Sequence, residues 1–307
     1  MRHLLSAGDL SHDDVLRLFR VAAELKQQLK AGRHSSALAG RTLALIFEKP
    51  SLRTRVTFEV GLIQLGGRGV YLSSGEIGMG SRESVPDVAR NLSRWVDGIV
   101  ARVYSHATVE GLARHANIPV INGLSDLEHP CQAVADFFTL WERGIDFATA
   151  RFAWIGDGNN VCHSLMLLGG LLGCTMVICC PEGHDPDPRI LRRAGRSGGG
   201  IALTRDPMEA ARDADVLYTD VWISMGQEAE REQRLETFSR YQLSDPLVAA
   251  AKSSALVMHC LPAHRGEEIT DAVLDGPRSI VLDQAENRLH AQKAILLELL
   301  GGPLDDV

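Results

Sequence analysis

The sequence predicts an α/β protein of two domains, each a mostly parallel sheet flanked by helices, the two joined by bridging helices. Three observations lead there. Short apolar runs of strand length, such as Thr42-Leu43-Ala44-Leu45-Ile46-Phe47 and Phe152-Ala153-Trp154-Ile155, alternate with longer segments of helical period. Polar residues capable of chemistry stand just past the ends of those runs, where open α/β sheets bind ligands. The 307 residues suffice for two domains of ordinary size. The division is expected at 1–138, completed by a C-terminal helix over 286–307, and 139–285.

Ser11 caps a helix to about Leu29, whose apolar stripe is Val15, Leu18, Phe19, Ala22 and Leu25. The strand Thr42–Phe47 leads into Glu48-Lys49-Pro50-Ser51-Leu52-Arg53-Thr54-Arg55, and Phe58, Leu62 and Leu65 recur behind it at helical spacing. Ser51 is a good N-cap, and Pro50 blocks earlier helix growth. The amides of Leu52, Arg53 and Thr54 then point out of the positive end of the helix, beside two hydroxyls and a guanidinium. That is a socket for a phosphate or similar oxyanion. A bare Ser-Xaa-Arg reads equally as a capped helix with a solvated face. Two arginines and two hydroxyls behind a buried strand are a stronger signal. Arg53 and Arg55, two residues apart, cannot face the same way on a helix. The anion is assigned to Arg53 and a structural ion pair to Arg55.

Gly69 to Leu72 reads as the next strand. The polar loop Ser73 to Ser84 follows, with Glu76, Gly78, Met79, Gly80 and Arg82, a length and composition common in functional loops. Pro86 to Val96 reads as a helix and Gly98 to Ala101 as a strand. Arg102 at its end is either a second anion ligand or an ordinary strand-end arginine. Ile118 to Gly123 repeats strand and turn, and His129-Pro130-Cys131-Gln132 heads a helix to about Arg143. His129 and Gln132 can face one ligand, and a histidine can donate a hydrogen bond to a carbonyl oxygen. A lone histidine there would be structural.

The second half opens on Phe152–Ile155 and the turn Gly156-Asp157-Gly158-Asn159-Asn160-Val161, then a helix and a strand over Thr175–Cys180. This is a β-α-β unit with a loosely dinucleotide-like glycine pair, and Glu182 stands near where a ribose-binding acid would be. The third glycine of that fingerprint is Val161 here. Asn159 and Asn160 are suited instead to read a small ligand. Pro188–Ala194 reads as helix, Ile201–Leu203 and Val216–Thr219 as strands. Asp220, past the latter, is a natural seat for a substrate ammonium, and Ser224-Met225-Gly226 follows. Ala255–Met258 is a further strand, ending in His259-Cys260-Leu261-Pro262-Ala263-His264. Cys260 reads as nucleophile, ligand contact or filler, since no base is fixed beside it. Ser279–Leu282 is expected to be the last strand. A helix to Leu300 then carries Arg288 near its start and packs back on the first domain.

Composition narrows the classes. Hydrophobic content of 45% and charged content of 23% are those of a globular protein. A net charge of −7 argues against a nucleic-acid partner. The six cysteines form no C-x-x-C pair, so neither a zinc site nor a disulfide framework is read. The longest apolar region, Leu165–Cys180, is broken by Gly169, Gly170 and Gly173, so no membrane span is expected. The N-terminus lacks a signal-peptide core, and the cytoplasm is the expected compartment.

Ser51-Leu52-Arg53-Thr54-Arg55, His129-Pro130-Cys131-Gln132, Ser224-Met225-Gly226 and His259-Cys260-Leu261-Pro262 occur in this order. Together they resemble the aspartate/ornithine carbamoyltransferase superfamily, the last two motifs its ornithine branch, over nearly the whole chain. The resemblance implies transfer of a carbamoyl group from carbamoyl phosphate to the δ-amine of L-ornithine, as in arginine biosynthesis. It implies no cofactor and no metal. Carbamoyl phosphate is expected at Ser51, Leu52 (through its backbone), Arg53, Thr54, Arg102, His129, Pro130, Cys131 and Gln132, with Cys260, Leu261 and Arg288 completing the site. Ornithine is expected at Asn160, Asp220, Ser224 and Met225. Arg53, Arg102, His129 and Cys260 are the expected catalytic residues. A homotrimer or a multiple of trimers is implied as well. Leu52 stands where relatives often have threonine, and Gly78 where relatives commonly offer a glutamine or histidine to the neighbouring subunit's site, so that role is not carried over. The other readings are a carbamoyltransferase for putrescine or an N-acylated ornithine, a nicotinamide-dependent oxidoreductase using the Gly156–Gly158 turn, and a non-catalytic relative that kept the fold.

Overall fold

A computed structural model describes residues 2–223 and 228–301. The chain divides into two compact units, Met1–Glu142 with Glu286–Val307, and Arg143–Ala285. Each is built on an all-parallel sheet.

In the first unit the strands are β1 (Thr42–Phe47), β2 (Arg68–Ser73), β3 (Gly98–Arg102) and β4 (Val120–Leu124). Their order is β2-β1-β3-β4. Strand β1 is buried along nearly its whole length, as its unbroken apolar run requires. Its core partners include Val88, Ala89, Leu92, Val109 and Leu112 from covering helices. The chain leaves β1 for β2 on one side and returns to β3 on the other. The β1/β3 boundary is thus the topological switch point, where the carboxyl ends open a crevice. Phe47 pairs with Arg102 there, and the Glu48 amide donates to the Arg102 carbonyl at 2.8 Å. The helix His12–Lys30 begins at Ser11, which takes part in a capping box with Asp14.

The second unit contains β5 (Arg151–Ile155), β6 (Thr175–Cys179), β7 (Ile201–Thr204), β8 (Val216–Thr219) and β9 (Leu256–His259), in the order β7-β6-β5-β8-β9. Its switch point lies between β5 and β8, whose carboxyl ends carry the Gly156–Asn160 turn and Asp220. A core of Ala153, Ile155, Leu217, Val257, Trp222 and Phe238 lies on one face of that sheet.

Several boundaries differ from expectation. Ser279–Leu282 is not a strand: Ser279 makes an isolated bridge to Val257, and the last helix already starts at Val281. A run of three apolar residues after a serine fits a helix entry as well as a strand. Here Ile280 and Val281 are buried while Leu282 is 76% exposed. The helix expected to reach Val96 runs over Val85–Leu92, after which Ser93 folds its hydroxyl back on the Ala89 carbonyl at 2.7 Å. The Ser73–Ser84 segment contains a short helix, Ser74–Ile77. The first unit gives way to the second after Glu142, so the whole helix Pro130–Glu142 belongs to the first unit. The last helix is held in that unit by Arg17–Glu298 at 2.8 Å and by Lys26, whose Nζ donates to Asn287 Oδ1 at 2.8 Å.

Candidate active site

The first unit brings together the residues expected to hold an anion. Ser51 caps the helix Leu52–Gln64, its hydroxyl accepting from the Thr54 amide at 3.3 Å. One of the three amides counted toward the socket is therefore engaged by the cap. Behind the helix end, Arg288 donates through Nη2 to Thr54 Oγ1 at 3.0 Å and through Nη1 to Gln132 Oε1. Gln132 in turn donates Nε2 to Asp136 Oδ1 at 2.8 Å, which turns its carbonyl oxygen toward the arginine. Thr54, Gln132 and Arg288 are all buried. Gln132 is thus engaged in orienting a guanidinium.

His129 gathers the remaining members. It and Arg102 are also buried. Burial holds the His129 ring well below its ordinary pKa, and the charges of Arg288, Arg102 and Arg53, in that order, push it further down. Three guanidiniums from β3's end, the Ser51-capped helix and the C-terminal helix thereby act on one imidazole. That imidazole is neutral at pH 7. A neutral imidazole has one N–H to donate.

The same shift makes a prediction about pH. The unfolded chain binds a proton on His129 near pH 6.5 while the folded chain does not, so stability falls as pH drops below 6.5. His290, lowered to about 3 mainly by burial and then by Lys293, adds a loss between 6.5 and about 3. Denaturant titrations at pH 8, 6 and 5 should show declining stability, with no His129 NMR titration between pH 6 and 8. A His129 resonance titrating near 6.5 would contradict the geometry.

Arg55 ion-pairs with Glu59 at 3.0 Å and stacks over the Tyr71 ring at 3.7 Å, the structural role expected of it. Cys131 is buried, its thiol donating to the Asn122 carbonyl at 3.4 Å, and burial raises its pKa to about 12. It offers no thiolate to a ligand. Gly78 adopts φ +59°, and a Cβ there would come within 2.8 Å of Arg82 Cβ, so this turn takes glycine and presents no side chain.

The second unit presents a carboxylate. Asp220, just past β8, accepts from Asn159 Nδ2 at 2.8 Å through Oδ2 and from the Cys260 thiol at 2.9 Å through Oδ1. Asn159 also caps the helix Asn160–Leu172, its Oδ1 accepting from the amides of Val161 and Cys162 at 3.0 and 3.1 Å. The capping role of Asn159 was not legible in the sequence. Asn160, expected to touch substrate, opens that helix. Cys260 faces a carboxylate, the opposite of the electropositive setting that makes a thiolate. Its neighbour His259 is not placed to serve as its base: Nδ1 accepts from the Leu261 amide at 2.8 Å, and Nε2 lies 3.1 Å from Glu268 Oε1. Leu261 itself has φ +59°, a conformation uncommon for a side chain of its size. Arg234 was also missed. It is buried in the polar helix Arg231–Phe238, donates Nε to the Trp222 carbonyl at 2.6 Å, and pairs with Asp157. Ser224 and Met225 lie outside the described residues.

The glycine-pair turn is not a dinucleotide cradle. Gly158 donates to the His184 carbonyl at 2.9 Å. A Cβ on Gly158 would meet Pro186 N at 2.3 Å and Asp185 C at 2.6 Å. The protein's own backbone fills the place a pyrophosphate would approach. Gly158→Ala is accordingly expected to destabilise the second unit by about 2–3 kcal/mol, read as a lower thermal midpoint. An unchanged midpoint would show that the approach is looser than drawn.

Fold and side-chain chemistry define a class: a two-sheet α/β protein with cationic side chains at one switch point and a carboxylate at the other. Known proteins identify the member. Residues 2–142 match the family model "Aspartate/ornithine carbamoyltransferase, carbamoyl-P binding domain" and residues 149–299 match "Aspartate/ornithine carbamoyltransferase, Asp/Orn binding domain". An ornithine carbamoyltransferase of Archaeoglobus fulgidus is 53% identical over 301 residues, covering 98% of each chain. An anabolic ornithine carbamoyltransferase of Pyrococcus furiosus is 50% identical over 305 residues, covering 98% of this chain and 97% of that one. A solved structure of the ornithine carbamoyltransferase from Pyrococcus furiosus superposes with a TM-score of 0.95 at 50% identity, covering 98% and 97% of the two chains. The chain belongs to the aspartate/ornithine carbamoyltransferase family.

Proposed function

We propose that this protein transfers the carbamoyl group of carbamoyl phosphate to the δ-amine of L-ornithine, giving L-citrulline and phosphate, in the biosynthetic direction. The observation that carries the reading is the convergence of Arg53, Arg102 and Arg288 on a buried, neutral His129. Ser51, the Leu52 amide, Arg53 and Thr54 take the phosphate. Arg102 and His129 face the carbamoyl oxygen, with Pro130 and Cys131 shaping the helix start behind them. Gln132 orients Arg288. In the second unit Asp220 holds the α-ammonium of ornithine, helped by Asn160, Ser224 and Met225, and leaves the δ-amine directed at the carbonyl carbon. Cys260 and Leu261 orient that amine.

The chemistry needs little else. The neutral δ-amine attacks the carbamoyl carbon, and negative charge builds on the carbonyl oxygen and then on the departing phosphate. Donors already aimed at that charge are worth roughly 2.7–4 kcal/mol each in comparable sites. The leaving phosphate accepts the amine's proton. Positioning accounts for the rest.

The test is a product assay with carbamoyl phosphate and ornithine, putrescine or N-acetylornithine as acceptor. Citrulline from ornithine, with the others at least about 100-fold poorer, is expected. A preference for either competitor would overturn the acceptor assignment, and tight binding of a bisubstrate analogue without turnover would overturn catalysis.

Self-association belongs to the same reading. Leu52, Val56 and Ile63 form an exposed apolar stripe on the helix Leu52–Gln64, and Val70 on the edge strand β2 is exposed too. Such a stripe supports an interface between copies, and a homotrimer or a multiple of trimers is proposed. Among the described residues no helix is long and apolar enough to cross a membrane, and a cytoplasmic location is proposed.

A further inference from the structure

Away from the substrate groups, the second unit brings one imidazole and two carboxylates together. His264 Nδ1 lies 3.9 Å from Glu267 Oε2 and 3.8 Å from Glu268 Oε2. One ligand atom from each of the three side chains lies within 4.8 Å of the other two. His264 Nδ1, Glu267 Oε2 and Glu268 Oε2 are each buried without a hydrogen-bond partner. The other carboxylate oxygens are engaged: Glu267 Oε1 pairs with Arg231, and Glu268 Oε1 accepts from the His264 amide at 2.6 Å and faces His259 Nε2 at 3.1 Å. Glu268 is 0% exposed. A fully buried carboxylate with one oxygen lacking a donor is costly, and a second carboxylate beside it adds repulsion. What relieves both is positive charge at the point the three atoms surround.

Their spacing defines that point. A position equidistant from three atoms so placed is about 2.2–2.5 Å from each, within or just beyond divalent-ion coordination distances. The donor set, one imidazole nitrogen and two carboxylate oxygens, suits a first-row divalent ion better than magnesium or calcium. The His264 side chain is 42% exposed, which leaves a route from solvent and room for water to complete the shell.

We propose that His264, Glu267 and Glu268 form a binding site for a divalent transition ion, zinc being the fitting case. The ion pins the turn that follows β9. Glu268 also faces His259, whose ring accepts the Leu261 amide, so the ion stiffens the backbone of the Cys260–Leu261 segment without touching substrate. Neither composition nor cysteine spacing signals this site, because its ligands are two adjacent glutamates and a histidine in a turn.

The experiment is equilibrium dialysis of the full chain against zinc chloride, with the zinc K-edge spectrum of the loaded protein. Wild type is expected to hold one equivalent with nitrogen and oxygen ligands alone. His264→Gln is expected to weaken it at least about 10–100-fold, while Cys260→Ser leaves it in place. Zinc should raise the thermal midpoint of wild type and not of His264→Gln, and the variant's zinc-free midpoint reports whether it folds. Three results would overturn the proposal: no zinc held by wild type, equal retention by His264→Gln, or sulfur scattering with loss in Cys260→Ser, which places the ion at Asp220 and Cys260.

Discussion

Arg53→Ala lowers citrulline formation by about 10²–10³-fold in kcat, the loss seen when one preorganised donor to a developing negative charge is removed. The helix Leu52–Gln64 survives the change, because its cap is Ser51 and Arg53 is a first-turn residue with its own backbone unaffected. The thermal midpoint therefore stays near that of wild type. The loss appears with saturating carbamoyl phosphate as well as below it, since the charge Arg53 meets is larger on departing phosphate than on bound substrate. Lysine at the same position restores only part of the rate, having charge but no fork to span two oxygens. Steady-state kinetics on the two variants check this. Turnover by Arg53→Ala within a few-fold of wild type would remove Arg53 from the phosphate.

Asp220→Asn gives the second large effect, and it falls on the other substrate. An asparagine keeps the size and leaves Asn159 and Cys260 with a neighbour, but removes the charge that holds the ammonium. Truncating one side of a buried charge pair costs about 2–5 kcal/mol, so the ornithine KM rises at least about 30-fold while that for carbamoyl phosphate is nearly unchanged. A kinetic split in the opposite sense would move the ammonium elsewhere.

The sequence was most legible where every level agreed. Around β1 the apolar run, the proline, the serine cap and the helical period behind it all mark one strand-turn-helix, and the structure has its strand at Thr42–Phe47 and its cap at Ser51. It was least legible where contacts span the chain. Arg288 and Thr54 are 234 positions apart, and no spacing rule links them; resemblance to a family brought Arg288 into the site, and side-chain geometry then gave it partners. Gln132 is expected to face a ligand, and its bonds to Asp136 and Arg288, which no spacing rule signals, also orient a guanidinium. Ser279–Leu282 is no strand, and three apolar residues in a row carry no period by which to tell. Short or polar helices such as Pro207–Ala211 and Arg231–Phe238 were passed over, having too few turns to show an apolar stripe.

The guanidinium of Arg288 also has a temporal meaning. Synthesis proceeds from the N-terminus, so Thr54 and Gln132 leave the ribosome long before their arginine does. A nascent chain ending before residue 288 lacks the cation that Thr54 and Gln132 meet in the finished fold. The partner that fixes Thr54 and Gln132 therefore arrives late, with the last helix, and that corner of the first unit is finished only when synthesis is nearly done.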